Sequence, residues 1–202
     1  MTKAKSNVTT DFVLPIVVLV LICAIMSGLL AKTNEITAPI IEEAERAANA
    51  AARLEVLPDA ATAGSDPFEE VTVDGLPAAI TGVYKASNSA GDTLGYTFSI
   101  TAEGYGGKNT LKMVVGIDAD GKITGTKVLD QSETPGLGAK ITTDAFQKQF
   151  SDNDTYGGGV DADYVSDINN IDTISGATRS SNYFRLALTY AFEAFDLVKE
   201  GA

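Results

Sequence analysis

Histidine and tryptophan are absent from this chain, cysteine occurs once, and basic residues are scarce, with 15 Lys and Arg against 27 Asp and Glu. Each shortage closes a class of function. Without histidine the commonest general base and the usual haem ligand are missing, and hydrolase triads and much zinc and copper chemistry go with them. The single Cys23 forms neither an internal disulfide nor an iron–sulfur site of its own, and reads as a small apolar residue. A formal charge of −12 with no cluster of Lys and Arg excludes nucleic acid, because neutralising phosphates takes grouped cations. No catalytic residue and no metal ligand is expected.

What the chain has in quantity is apolar sequence near its start. Phe12 to Ala31, FVLPIVVLVLICAIMSGLLA, is 20 residues without a charge. At about 1.5 Å rise per residue it spans roughly 30 Å, the thickness of a bilayer core. A transmembrane helix is expected. A signal-peptide apolar region is shorter, roughly 7–15 residues, and Val20, Leu21 and Ile22 are too bulky for lipoprotein processing at Cys23. Lys3 and Lys5 before the helix place the N-terminus in the cytoplasm and the rest of the chain outside. The expected organisation is a cytoplasmic N-terminus over 1–11, a transmembrane helix over 12–31, a membrane-proximal helix and linker over 32–70, and one domain over 71–202. Ala24, Ser27, Gly28 and Ala31 give the helix small residues that face either a partner helix or lipid.

Past the membrane, TAPIIEEAERAANAAARLEVLP is Ala-rich, with Ile40, Ala44, Ala47, Ala51 and Leu54 at spacings of three and four, and reads as a helix ended by Pro58. ATAGSDP reads as a loop. Strands are expected in AITGVYKA, LGYTFSIT, TLKMVVGID and KITGTKVLD, consecutive and so antiparallel, with Asp120-Gly121 as a hairpin turn. TDAFQKQFS reads as a short helix capped by Thr143 or Asp144. A last helix runs from Arg179 to Lys199, with Tyr183, Ala187, Tyr190, Ala194 and Val198 on one face. Strands followed by helices give an α+β fold: one N-terminal transmembrane helix, then a mostly antiparallel sheet flanked by helices.

Four stretches invite a chemical reading. AEGYGGKN ends like a phosphate loop, but Ala102 stands where the first Gly belongs and Asn109 where Ser or Thr would meet magnesium. It is either a bend between strands or a place where a flat ligand approaches the backbone. DNDTYGGGVDAD has Asp152, Asp154, Gly157 and Asp163 at calcium-loop offsets. Tyr156 occupies a ligand position and Asp163 replaces the bidentate Glu, so a solvated acidic loop is the reading. SETPGLGAK can present backbone N–H groups and Leu137 to a planar ring, or can be a tight turn. In SGATRSS, Ser175 or Thr178 can cap the last helix, and the small residues leave a hydroxyl unshielded where a helix N-terminus can hold a phosphate.

Taken together, GYGGKNTLKMVVGIDADGKITGTKVLDQSETPGLGAKI followed by IDTISGATRSS resembles the FMN-binding domain shared by the G subunit of the Rnf electron-transport complex and the C subunit of the sodium-translocating NADH:quinone reductase. The likeness runs from about Gly104 to the C-terminus, with ETPGLG and SGAT in the family's order. The shorter chain is more similar to the Rnf protein. The resemblance implies that a flavin transferase, with FAD as donor and magnesium, attaches FMN to the Thr178 hydroxyl through a phosphoester. It implies that Glu133, Thr134, Gly136, Leu137 and Gly138 line the isoalloxazine and that Ser175 lies beside the phosphate, with Tyr105 and Gly106 as further candidates. Gly176 and Ala177 then leave room, and Arg179 and the first helix amides offset the phosphate charge. Glu133 either accepts from a flavin N–H or orders its loop.

The implied role is an electron relay in the cell membrane, between reduced ferredoxin and NAD with ion translocation, inactive alone. Its implied partners are other membrane and peripheral subunits, the transferase during maturation, and membrane lipid. Two other readings stand beside it: a membrane-tethered binding or scaffolding module without cofactor, in which SGAT only caps a helix, and a free-standing surface flavin reductase.

Overall fold

The computed structural model describes residues 12–62, 67–153 and 156–201. The expected cytoplasmic segment 1–11, most of the ATAGSDP loop and Asp154 lie outside the described residues. The chain divides into two compact units, one ending at Ala47 and one beginning at Ala48. Helix α1, Leu14–Val56, is 43 residues long. Among the described residues it is the one helix long and apolar enough to cross a bilayer, with a mean hydropathy of 2.8 over its most apolar 18 residues, none of them buried. The chain is a single-pass membrane protein. The sequence suggests two helices here, and the structure has one, with Pro39 in its interior. Proline removes one backbone hydrogen bond, but the helix formers around it carry the turn. The Thr33 and Thr37 hydroxyls back-bond to the carbonyls of Leu29 and Thr33.

The second unit is built on a five-stranded antiparallel meander in the order β1-β2-β3-β4-β5. The strands are β1 Phe68–Glu70, β2 Ile80–Ser87, β3 Thr93–Gly104, β4 Gly107–Asp118 and β5 Ile123–Gln131. Four match the expected runs. The three-residue β1 is an addition, too short to carry an alternation. The β4–β5 hairpin closes as Asp120-Gly121 suggests, with Gly121 at φ +85 and its N–H donating to Asp118 O at 3.1 Å.

Period-two alternation makes the sheet two-faced. Tyr96, Phe98, Ile100 and Ala102 of β3, with Leu111, Met113, Val115 and Ile117 of β4, face the main core. That core is completed by helix α2, Asp144–Ser151, the short α3, Ala162–Ser166, and α4, Thr178–Glu200. Phe146, Phe150 and Phe184 meet with ring centroids 5.2–5.7 Å apart. Burying each such ring contributes about 1.5–3 kcal/mol. On the other face Val114 packs with Ala52 and Val56 at the end of α1.

Three details differ from the sequence reading. The buried face of α4 holds the expected Ala187, Ala194 and Val198 and also Ser181, Phe184, Leu188, Ala191 and Phe195, while Tyr183 and Tyr190 are only half-buried at its border. In α1 the buried residues are Ala52 and Val56, while Ile40 and Leu54 are exposed. Thr143 occupies the N-cap position of α2, but its hydroxyl donates back to Lys140 O at 2.7 Å and caps nothing.

Candidate functional site

Three segments converge at the start of α4. The first is the β3–β4 hairpin tip: Gly104 pairs with Gly107, leaving Tyr105 and Gly106 as a two-residue turn. This stretch is a bend between strands. The second is Thr134-Pro135-Gly136-Leu137, closed by the Leu137 N–H on Thr134 O at 3.1 Å. The third is Ile174-Ser175-Gly176-Ala177, closed by the Ala177 N–H on Ile174 O at 2.9 Å. The two turns share one construction, with a glycine at the third position and φ of +76 at Gly136 and +77 at Gly176. A positive φ at the third position is the type II pattern, and glycine adopts it without steric cost. They face each other: Leu137 Cδ2 lies 3.5 Å from where a Cβ on Gly176 would stand.

Between these segments lies an open cleft of about 440 Å³, lined by Tyr105, Thr134, Leu137, Gly138, Gly176, Ala177, Thr178, Arg179 and Ser180. A second hollow, of about 430 Å³, shares Thr178 and Arg179 and is completed by Ile168, Asn182 and Tyr183. Of the residues singled out in the sequence, eight line the cleft. Gly136 and the exposed Ser175 belong to its turns without lining it. Gly106 packs on Ser132, where an added Cβ would stand 2.7 Å from the Ser132 carbonyl oxygen. Glu133 lies beneath the cleft, 6 % exposed.

Thr178 is the first residue of α4 and is exposed. The cap position belongs to Ala177, so neither Ser175 nor Thr178 caps the helix, contrary to the composition of the stretch. Among the described residues no group hydrogen-bonds the Thr178 hydroxyl. The turn is secured instead by Ser181, whose hydroxyl accepts from the Ile174 N–H at 3.0 Å and donates to Ala177 O at 3.2 Å. The approach to the turn is held by Gln149, which accepts from the Asp172 N–H at 2.8 Å and donates to Asp172 O at 3.3 Å. Ser181 acts on backbone four and seven residues away, within the same stretch, but Gln149 carries no local sequence signal, since the backbone it holds is 23 residues away. The same holds for Ser180, whose hydroxyl donates to Glu133 Oε2 at 2.5 Å.

Arg179 extends along the surface. Its Nη2 donates to the Tyr183 hydroxyl at 3.2 Å, and its guanidinium lies 5.5 Å from the Tyr105 ring centroid and 6.0 Å from that of Tyr183. The Tyr183 hydrogen bond pushes its pKa above the usual arginine value, so the group is a permanent cation. With no acidic residue in the first turn of α4, the cleft mouth favours an anion.

These residues fit a flavin mononucleotide. The cleft is within the roughly 300–1,000 Å³ of small-molecule sites, Leu137 and Tyr105 give it exposed apolar surface, and a free hydroxyl, a cation and unshared first-turn amides gather at one end, as a phosphate requires.

Comparison with known proteins gives the same direction. Residues 104–193 match the FMN-binding domain family. The G subunit of the ion-translocating oxidoreductase complex of Methanosarcina acetivorans is 36% identical over 167 residues, covering 82% of this chain and 85% of that protein. The G subunit of the Na(+)-translocating ferredoxin:NAD(+) oxidoreductase complex of Acetobacterium woodii is 37% identical over 149 residues, 70% of each chain. The G subunit of the proton-translocating ferredoxin:NAD(+) oxidoreductase complex of Clostridium ljungdahlii is 33% identical over 96 residues, 48% of this chain and 50% of that one. With most of two relatives' length matched and the cleft lying inside the FMN-binding segment, this chain belongs to the family of G subunits of Rnf-type ion-translocating oxidoreductase complexes.

Proposed function

We propose that this chain is the membrane-anchored electron relay of a complex that couples electron transfer between ferredoxin and NAD to ion translocation, with FMN esterified to Thr178. The observation that carries the reading is the Thr178 hydroxyl, exposed on the first turn of α4, unbonded among the described residues, and opening on a cleft of flavin size. The anchor α1 fits an N-terminus in the cytoplasm and the domain beyond the cell membrane. The sodium and proton named for two relatives leave the coupling ion to be assigned by experiment.

Attachment is a group transfer. The Thr178 hydroxyl attacks the flavin-side phosphorus of FAD, an Oγ1–P bond forms, the pyrophosphate bond breaks, and AMP leaves while the hydroxyl proton passes to the transferase. Gly176 and Ala177 present no bulk to that enzyme, and the first-turn amides with Arg179 would hold the ester's charge. Thr178 is an anchor rather than a catalyst. Leu137 and Tyr105 would hold the ring by apolar contact, and Thr134 and the turn backbone would orient its polar edge. Bound there, the flavin supplies one- and two-electron redox chemistry; the protein supplies place and electrostatics.

The test is intact mass of the full chain produced with and without a flavin transferase, beside Thr178→Val. A gain of about 438 Da, one FMN less one water, absent in the variant, is the expected result. No gain with active transferase and folded protein would leave a tethered binding module.

A further inference from the structure

Glu133 is a buried carboxylate without an ion pair: 6 % of it is exposed, and among the described residues no Lys or Arg pairs with it. Its two oxygens are both taken. Oε1 accepts from the backbone N–H of Tyr105 at 2.7 Å, and Oε2 accepts from the Ser180 hydroxyl at 2.5 Å. Its own N–H donates to Gln131 Oε1 at 2.6 Å. One side chain thus joins the hairpin tip, the turn after β5 and the first turn of α4, which are the three walls of the cleft.

Two glycines make room for it. A Cβ on Gly104 would stand 2.7 Å from Glu133 Oε1, and one on Gly138 would stand 2.6 Å from Oε2 and 2.5 Å from Ser180 Oγ. Neither glycine has a φ in the left-handed region, so it is space that requires them, around the carboxylate at both and around Thr110 Oγ1 at Gly104 as well. Burying an acid on two hydrogen bonds is a costly way to hold a core together. What the arrangement supplies is geometry. Residues two apart on a helix point about 200° from each other. Ser180, 4 % exposed, is held by Glu133 at the floor of the cleft, while Thr178, on the far side of the same turn, is exposed at the cleft mouth.

We propose that Glu133 is a positioning residue for flavin attachment: through Ser180 it sets the rotational phase of the first turn of α4 and so aims the Thr178 hydroxyl, while through Tyr105 it sets the opposite wall. The inference rests on the covalent reading above. It assigns Glu133 no contact with the ring.

The experiment follows mass gain over time for the full chain in detergent with flavin transferase, FAD and Mg²⁺. It compares the unaltered chain, Ser180→Ala, Glu133→Ala, the double variant and Glu133→Gln, with urea unfolding in parallel. Ser180→Ala and Glu133→Ala should load on the order of ten- to a hundredfold more slowly, the scale of a misplacement of about 1 Å. The double variant should load no more slowly than Glu133→Ala, because both substitutions cut one link. Glu133→Gln keeps an acceptor for Tyr105 and can face its amide to Ser180, so it should restore most of the rate. Ser180→Ala removes one oxygen and carries the test if Glu133→Ala does not fold. Loading of Ser180→Ala and Glu133→Ala at the unaltered rate would overturn the proposal, as would slowing that only tracks loss of folded protein. Failure of the unaltered chain to gain mass would overturn the covalent reading itself and this inference with it.

Discussion

Gly116 and Gly125 stand opposite each other on β4 and β5, and together they open a slot in the sheet that the backbone of Val56 fills. A Cβ on Gly116 would collide with the Val56 carbonyl oxygen, and one on Gly125 would stand 2.7 Å from Val56 Cα. Thr124 completes the seat by donating to Val56 O at 2.5 Å. The end of α1 is therefore fixed to the sheet by backbone proximity that only paired glycines permit.

Gly116→Ala and Gly125→Ala should each lower stability by about 1–3 kcal/mol, the cost of overpacking against atoms that cannot rotate away. Because both would displace the same stretch of backbone, the double variant should cost less than the sum. Urea unfolding of the detergent-solubilised chain measures all three.

Thr97 lies on the same face of the sheet, fully buried, and its hydroxyl finds no partner among the described residues. Thr97→Val keeps the shape and removes the unpaired oxygen. It should raise stability by about 1 kcal/mol, since a buried unsatisfied hydroxyl costs that much or more. A lower unfolding midpoint in this variant would show that the hydroxyl has a partner in solution.

Gly136→Ala and Gly176→Ala form a matched pair. An added Cβ meets nothing within 4 Å at Gly136 and only ordinary contact at Gly176, so space is not at issue. The cost is the left-handed backbone, about 1–2 kcal/mol at each site. Equal losses in unfolding free energy are expected, and a difference well beyond that range would point to contacts rather than conformation.

Tyr164 gives the domain an alkaline limit. Its hydroxyl donates to Asn170 O at 2.5 Å and accepts from Asn153 at 3.2 Å. Burial raises its pKa above 10.0, the Asn153 hydrogen bond partly opposes this, and the Asp172 charge adds to it. The folded chain holds this proton more tightly than the unfolded one. The contribution is therefore intact below about pH 10 and is lost as pH rises through the raised value. Stability measured across that range should fall more steeply for the unaltered chain than for Tyr164→Phe.

What the sequence made legible was local. The alternation of β2 to β5, the Asp120-Gly121 hairpin and the apolar run of α1 each lie within at most 20 consecutive residues of pattern, and each appears in the fold. The continuity of α1 through Pro39 was not legible, because propensity argues for a break there. Of the α4 stripe, Ala187, Ala194 and Val198 were legible, while Tyr183 and Tyr190 count as apolar in a pattern but sit at the border of the core. At the site, the ETPGLG and SGAT segments stand face to face, with Leu137 against Gly176. The work of Glu133 was hidden, since its partner Ser180 is 47 residues away and nothing near either residue announces the pairing. The Gly116–Gly125 slot was hidden for the same reason: each glycine alone reads as a weak strand residue, and only register brings them together.

The openness of the cleft around Thr178 has a consequence for affinity. A cofactor tied to that hydroxyl by its own ribityl phosphate, as proposed, would be presented to Leu137 and Tyr105 at an effective concentration in the millimolar range, as short flexible tethers give. A ring held that way needs only millimolar intrinsic affinity to stay docked. Such a site has no need to enclose its ligand, and one face of the ring can remain available to whatever exchanges electrons with it.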